Sequence, residues 1–144
     1  MRIVVQRVKS ASLSVDDKLI SKIDAGLLVF VGVCLGDTKE QVTKTAKKIA
    51  TLRIFEENGK MNKSVLDING EVLLVSNFTL CTKDTSGARP DFGMSANRED
   101  AKSLYLAVAD ELDTLGVKVK LGVFGADMQI NTHLDGPVTI YKEI

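Results

Sequence analysis

An α+β fold is predicted by many short β-branched runs set off by turn residues, with two stretches of helical periodicity placed between them. The length agrees, since 144 residues suit one domain with a sizeable core. Hydrophobic residues at 44% and charged residues at 26% are an ordinary globular balance. No low-complexity stretch, internal repeat or Pro/Ser-rich linker interrupts the chain, so residues 1–144 are read as a single domain.

Ile3–Val8 and Ser10–Val15 read as two strands, and Asp16-Asp17 as a hairpin turn into Leu19–Ile23. Gly26–Leu35 is an apolar, β-branched run, expected as a buried strand. Asp37 and Glu40 have the spacing of a helix capping pair. Val42, Ala46, Ile49 and Arg53 then recur at helical spacing, with Lys44, Lys47 and Lys48 on the outer face. Asn58-Gly59 and Asn69-Gly70 are turn signals, and Glu71–Leu80 is expected as a central strand. Residues 81–96 form a polar loop with Gly87, Pro90 and Gly93. A second helix is expected after a cap at Asn97, with Ala101, Leu104, Tyr105, Val108, Leu112 and Leu115 on one face and Gly116 ending it. Val117–Leu121, Met128–Leu134 and Val138–Tyr141 complete the strands.

Composition excludes several function classes. Nineteen basic and nineteen acidic residues cancel, so net charge gives no nucleic-acid footprint, and any RNA contact must use a local patch or a terminal-nucleotide pocket. Trp is absent and aromatics are sparse, which argues against a broad base-stacking platform. Cys34 and Cys81 have no Cys-x-x-Cys partner, and neither a metal site nor a disulfide framework is indicated. His133 is the only histidine, which excludes multi-His metal sites; its place beside the Gly136 turn leaves a triad with a nearby Ser or Cys open, but a strand residue at a solvated edge is the favoured reading. No phosphate-cradling Gly-Lys-Ser/Thr loop and no dinucleotide fingerprint is present. The N-terminus lacks a signal pattern, and the longest apolar run, Leu27–Leu35, is too short to cross a bilayer. A soluble cytoplasmic protein without membrane contact is expected.

Two segments carry chemistry. In Ser76-Asn77-Phe78-Thr79-Leu80, polar side chains end an otherwise apolar strand and could offer side-chain groups and backbone N–H donors to a developing oxyanion. The bland alternative places Phe78 in the core and bonds Ser76 and Asn77 to a neighbouring strand. Thr79 could be a hydroxyl nucleophile, but no base lies near it in sequence, and the residues alone favour a β-branched strand residue with a satisfied hydroxyl. In Asp135-Gly136-Pro137-Val138-Thr139, Pro137 lacks an N–H and Gly136 lacks a Cβ, so the pair can press backbone against a ligand.

Together these segments resemble the bacterial-type D-aminoacyl-tRNA deacylase family, whose motifs run Ser-Gln-x-Thr-Leu and Asn-x-Gly-Pro-Val-Thr. The resemblance also takes in Met1–Val8, Leu52–Phe55, Gly59–Asn62 and Phe124–Met128, in the family's order. Asn77 stands where the family has Gln, and Leu134 where it has Asn. The resemblance implies a rolled, mostly antiparallel sheet or barrel with two main helices, assembled as a homodimer. It implies a cis Gly136-Pro137 peptide that enters the partner subunit's site, holds the substrate's α-amino group with two carbonyls and leaves no room for an L side chain. Arg7 matches the residue that braces this motif, and Thr79, Phe78, Ser76 and Asn77 match the catalytic segment. Phe124, Gly125 and Met128 match positions that hold the terminal adenosine of tRNA, core packing being the competing role for Met128. Lys60, Lys83 and Arg89 are further candidates for phosphate contacts or solvated loop charges.

The function expected from the resemblance is hydrolysis of the ester of D-aminoacyl-tRNA to free tRNA and D-amino acid, without cofactor or metal. Glycine has no side chain for such a filter to exclude, so glycyl-tRNA mischarged on tRNA for alanine is a further substrate. The alternatives are a non-catalytic tRNA-end-binding dimer and a related editor with relaxed chirality.

Overall fold

Ile3, Val5, Val8, Ala11 and Leu13 are all buried, yet their spacing changes phase twice, between 5 and 8 and between 8 and 11. Strict alternation along a flat strand cannot do this. The computed structural model, which describes residues 1–83 and 86–144, resolves it with one long bent strand, β1 (Arg2–Val15), in place of the two expected. Its register against the last strand shifts at Gln6/Val8 and again at Val8/Ser10. These irregularities turn Ile3 and Val5 toward one core and Val8, Ala11 and Leu13 toward another.

Asp16 and Asp17 adopt positive φ and return the chain into β2 (Lys18–Ile23). β3 (Gly26–Gly32) is shorter than the expected run to Leu35. Helix α1 (Lys39–Thr51) begins at Thr38, not Asp37: Thr38 and Gln41 form the capping box. Asp37 is committed elsewhere, accepting from the Met1 amine at 2.5 Å and from the Cys34 N–H at 2.7 Å. Val42, Ala46 and Ile49 are buried as expected, but the helix stops before Arg53, which is exposed. The Asn58-Gly59 turn joins a small hairpin, β4 (Phe55–Glu57) and β5 (Lys60–Lys63).

β6 (Glu71–Ser76) ends four residues early, and Phe78–Leu80 winds into a 3₁₀ turn rather than continuing the strand. Of the polar loop expected over 81–96, residues 84 and 85 lie outside the described residues. Helix α2 (Arg98–Thr114) is capped by Asn97, and it buries Tyr105, Val108 and Leu112; Leu115 follows it and is exposed. β7 (Lys118–Leu121) is followed by β8 (Gln129–Glu143), which runs through Gly136-Pro137 as one element where two strands were expected.

The sheet order is β2-β1-β3-β6-β7, with β8 along the other edge of β1. The pairs made by β1 are antiparallel, whereas β3–β6 and β6–β7 are parallel. The Ser21 hydroxyl donates to the Leu121 carbonyl at 2.6 Å, tying β2 toward β7 and nearly closing the roll. Leu27, Val29 and Val31 face the helices, while Leu28 joins Leu73 and Val75 inside the roll. This two-sided burial explains the unbroken apolar run of β3.

The parallel β3–β6 pairing has a consequence that sequence spacing concealed. Aligned strands bring their C-terminal ends together, with Val31 beside Ser76. Cys34 and Cys81, 47 residues apart, therefore meet with Cα atoms 5.6 Å apart and form a disulfide. The expectation of no disulfide is overturned.

Candidate active site

The C-terminal ends of β3 and β6, the start of α2 and the segment after β7 enclose a cavity of about 520 Å³. Its walls are apolar, with Phe30, Tyr105, Phe124, Met128 and Ile130 among them. Ser76, Asn77 and Phe78 also line it, so three of the four expected catalytic residues share one space with the expected adenosine positions, while Thr79 does not line it. Met128 packs against the inner core and also lines the cavity. Phe124 likewise rests on the helical core, its ring centroid 5.9 Å from that of Tyr105. The Tyr105 hydroxyl donates to the Leu74 carbonyl at 2.7 Å, and burial pushes its pKa well above the ordinary phenol value.

The 3₁₀ turn distributes its backbone donors unequally. The Asn77 N–H bonds Val31 O at 2.8 Å, the Leu80 N–H bonds Asn77 O, and the Cys81 N–H bonds Phe78 O. The Asn77 side-chain oxygen accepts the Thr79 N–H at 3.1 Å and the Thr79 hydroxyl at 2.5 Å. The Phe78 N–H alone in this stretch has no acceptor among the described residues. Asn77 is thus neither a strand residue nor a free amide: it caps the turn. Phe78 is 59% exposed, which removes the core-packing alternative. Thr79 is exposed, and its hydroxyl proton is directed at an amide oxygen rather than at a base.

The Gly136-Pro137 peptide is cis, and both residues are exposed. Arg7 braces the loop: Nε lies 2.9 Å from the Asp135 carboxylate and Nη1 donates to Ile54 O at 2.5 Å. Leu134, beside it, is 41% exposed. Within one chain neither Gly136 nor Pro137 lines the cavity that holds Phe78.

Other expected groups fall elsewhere. Lys83 lines a second cavity with Arg2 and Tyr141, and Lys60 is exposed at the start of β5. His133 is an exposed β8 residue opposite Ser10. Among the described residues, no group of three His, Cys, Asp or Glu is placed to hold a metal, and no helix is long and apolar enough to cross a membrane. Sequence reasoning missed Ser95, whose hydroxyl donates to Phe78 O at 3.1 Å, and Arg98, which reaches the cavity rim. Neither stands in a motif that singles it out.

Comparison with known proteins places this geometry. The family model described as D-Tyr-tRNA(Tyr) deacylase matches residues 4–143. The chain belongs to that family. A D-aminoacyl-tRNA deacylase of Thermosipho africanus is 49% identical over 97% of this chain and 95% of its own length. One of Lactobacillus gasseri is 45% identical with both chains fully covered. Among solved structures, the c-Myc DNA Unwinding Element Binding Protein superposes with a TM-score of 0.94 at 40% identity, covering 100% of this chain and 99% of that one. A probable eukaryotic D-amino acid tRNA deacylase superposes at 0.87 with 16% identity, covering 99% and 98%, a likeness of fold. Family membership therefore accounts for the rolled sheet, the two helices and the two motif-bearing segments together.

Proposed function

We propose that this chain is a D-aminoacyl-tRNA deacylase, which hydrolyses the ester joining a D-amino acid to the 3′ ribose of tRNA. The observation that carries this reading is the Phe78 N–H at the cavity wall, the one backbone donor of the Asn77–Cys81 turn without an acceptor among the described residues. An N–H so placed can receive the charge that builds on the ester carbonyl oxygen during attack, and a fixed donor pays no reorganisation at that moment. Asn77 and Ser95 hold the turn that aims it. The adjoining apolar cavity suits a single base, here the terminal adenine, held among Phe124, Gly125 and Met128. Water attacks the ester carbonyl and the ribose 3′ oxygen leaves carrying a proton, which frees the D-amino acid and the tRNA; the RNA 2′-hydroxyl assists, with Thr79 as a positioning residue.

Chirality is selected by backbone. The exposed Gly136-Pro137 loop, braced by Arg7, reaches the Ser76–Thr79 segment of a second copy. Its carbonyls accept the substrate's amino group, and its closeness to the substrate Cα shuts out an L side chain. Glycyl-tRNA passes the same filter. The working form is then a two-fold homodimer of one-domain chains acting in the cytoplasm, where translation occurs; light scattering at micromolar concentration that returned a monomer would contradict it.

The donor is tested by a pair of variants. Phe78→Ala keeps the N–H and Phe78→Pro deletes it. Proline is tolerated at the first position of a helical turn, and Asn77 before it (φ −145, ψ 93) lies outside the α region that a following proline disfavours. Phe78→Pro is expected to hydrolyse D-tyrosyl-tRNA roughly 10²–10³ more slowly than Phe78→Ala. Equal rates would remove the donor from the mechanism.

A further inference from the structure

Arg98 is the only charged side chain among the residues that line the cavity. It joins none of the five ion pairs among the described residues. Its guanidinium sits against Gly125: a Cβ built there would stand 2.7 Å from Nη2 and 3.1 Å from Cζ, so a side chain at 125 would make the end of the arginine shift. Gly125 also has φ +76, which glycine adopts without strain.

The backbone that carries Arg98 is fixed to the same element as the ester site. Ala96 donates its N–H to Val33 O at 3.0 Å, and the Ser95 hydroxyl donates to Phe78 O. Asn97 then caps α2 through the Asp100 N–H at 3.0 Å, placing Arg98 at the first helical position. A cation at the rim of an otherwise uncharged cavity, tethered to the turn that presents Phe78, calls for an anion attached to whatever fills the cavity.

We infer that Arg98 binds the 5′-phosphate of the nucleotide whose base occupies the cavity, and so positions the terminal nucleotide of the RNA with its 3′ ester at Phe78. This rests on the deacylase reading given above. The planar guanidinium fork matches phosphate oxygens in a bidentate way that an ammonium does not. Ribose joins base, 3′ ester and 5′ phosphate covalently within one nucleotide, so cavity, Phe78 and Arg98 form three points of attachment.

The test is equilibrium binding of 5′-AMP and of adenosine to the full-length protein and to Arg98→Gln, with Arg98→Lys as the charge-retaining variant. A charge-assisted hydrogen bond at a partly exposed site gives the wild-type protein a preference of about tenfold for 5′-AMP over adenosine. Arg98→Gln is expected to abolish that preference and leave adenosine binding unchanged, with Arg98→Lys intermediate. Equal wild-type affinity for the two ligands, binding of neither, a preference surviving in Arg98→Gln, or equal weakening of both ligands would each overturn the proposal. The last of these would mark stacking on the base instead. Binding is read without turnover, so failure of D-tyrosyl-tRNA hydrolysis would count against the deacylase reading and not against the phosphate contact.

Discussion

Gly136→Ala tests the chirality filter, and the structure alters what should be expected of it. A surface turn would ordinarily accept the change at little cost in stability. Gly136, however, has φ +119, and a Cβ there would lie 2.9 Å from both the Val138 N and its Cγ2 and 3.3 Å from Arg7 Nη2. Contacts below 3.0 Å with backbone force a shift, and an L residue at this φ is strained by about 1–3 kcal/mol. An unfolding entropy of about 2.1 cal/mol/K per residue makes each kcal/mol worth about 3 °C in a chain of this size. Thermal unfolding should therefore show a fall in Tm of about 3–10 °C. Hydrolysis of D-tyrosyl-tRNA should fall sharply in the same protein at a temperature where it is folded. An unchanged Tm would refute the strain argument. Full D-specific activity would refute the assignment of this loop to the filter.

Three further outcomes are expected. Thr79→Ala loses one hydroxyl bond to Asn77 and should keep activity within about tenfold of wild type, as one net hydrogen bond allows; complete inactivation with unchanged fold would restore an essential hydroxyl. Closing a loop of 47 residues, the Cys34–Cys81 bond should stabilise the fold by about 2–4 kcal/mol, so Tm measured with and without a thiol reductant should differ, and identical values would refute a contribution from the bond. Burial raises the Tyr105 pKa, so the fold favours the neutral phenol: that stability is intact below about pH 10 and is lost as pH rises beyond it, and Tyr105→Phe should cost about 1 kcal/mol at neutral pH while flattening the alkaline limb of the stability curve.

What was legible in the chain was mostly local. Asn97 as a cap, Tyr105 and Val108 on one face and the Asp16-Asp17 turn all follow from neighbouring residues, and the structure has them there. Most of the misreadings came where distant residues decide. β1 and β8 are each continuous because each supports the other through bulges that mimic strand ends in sequence. The Phe78–Leu80 turn replaces strand because Asn77 spends its side chain on Thr79. Asp37 is drawn from its cap by the Met1 amine, 36 residues away in sequence. The two cysteines meet only through parallel pairing of β3 with β6, and Arg98 comes to the cavity beside Gly125, 27 residues away in sequence. The site segments were readable because they resemble a family; which of their atoms is free, the Phe78 N–H, required the hydrogen bonds of the folded turn.

The central claim is chiral deacylation, and it is measured most directly by hydrolysis of matched D- and L-tyrosyl-tRNA by the purified protein. Rapid release of D-tyrosine with the L-ester left intact is the predicted result. Equal hydrolysis of both esters would point to an editor without the backbone filter, and binding of tRNA with turnover of neither would contradict catalysis altogether.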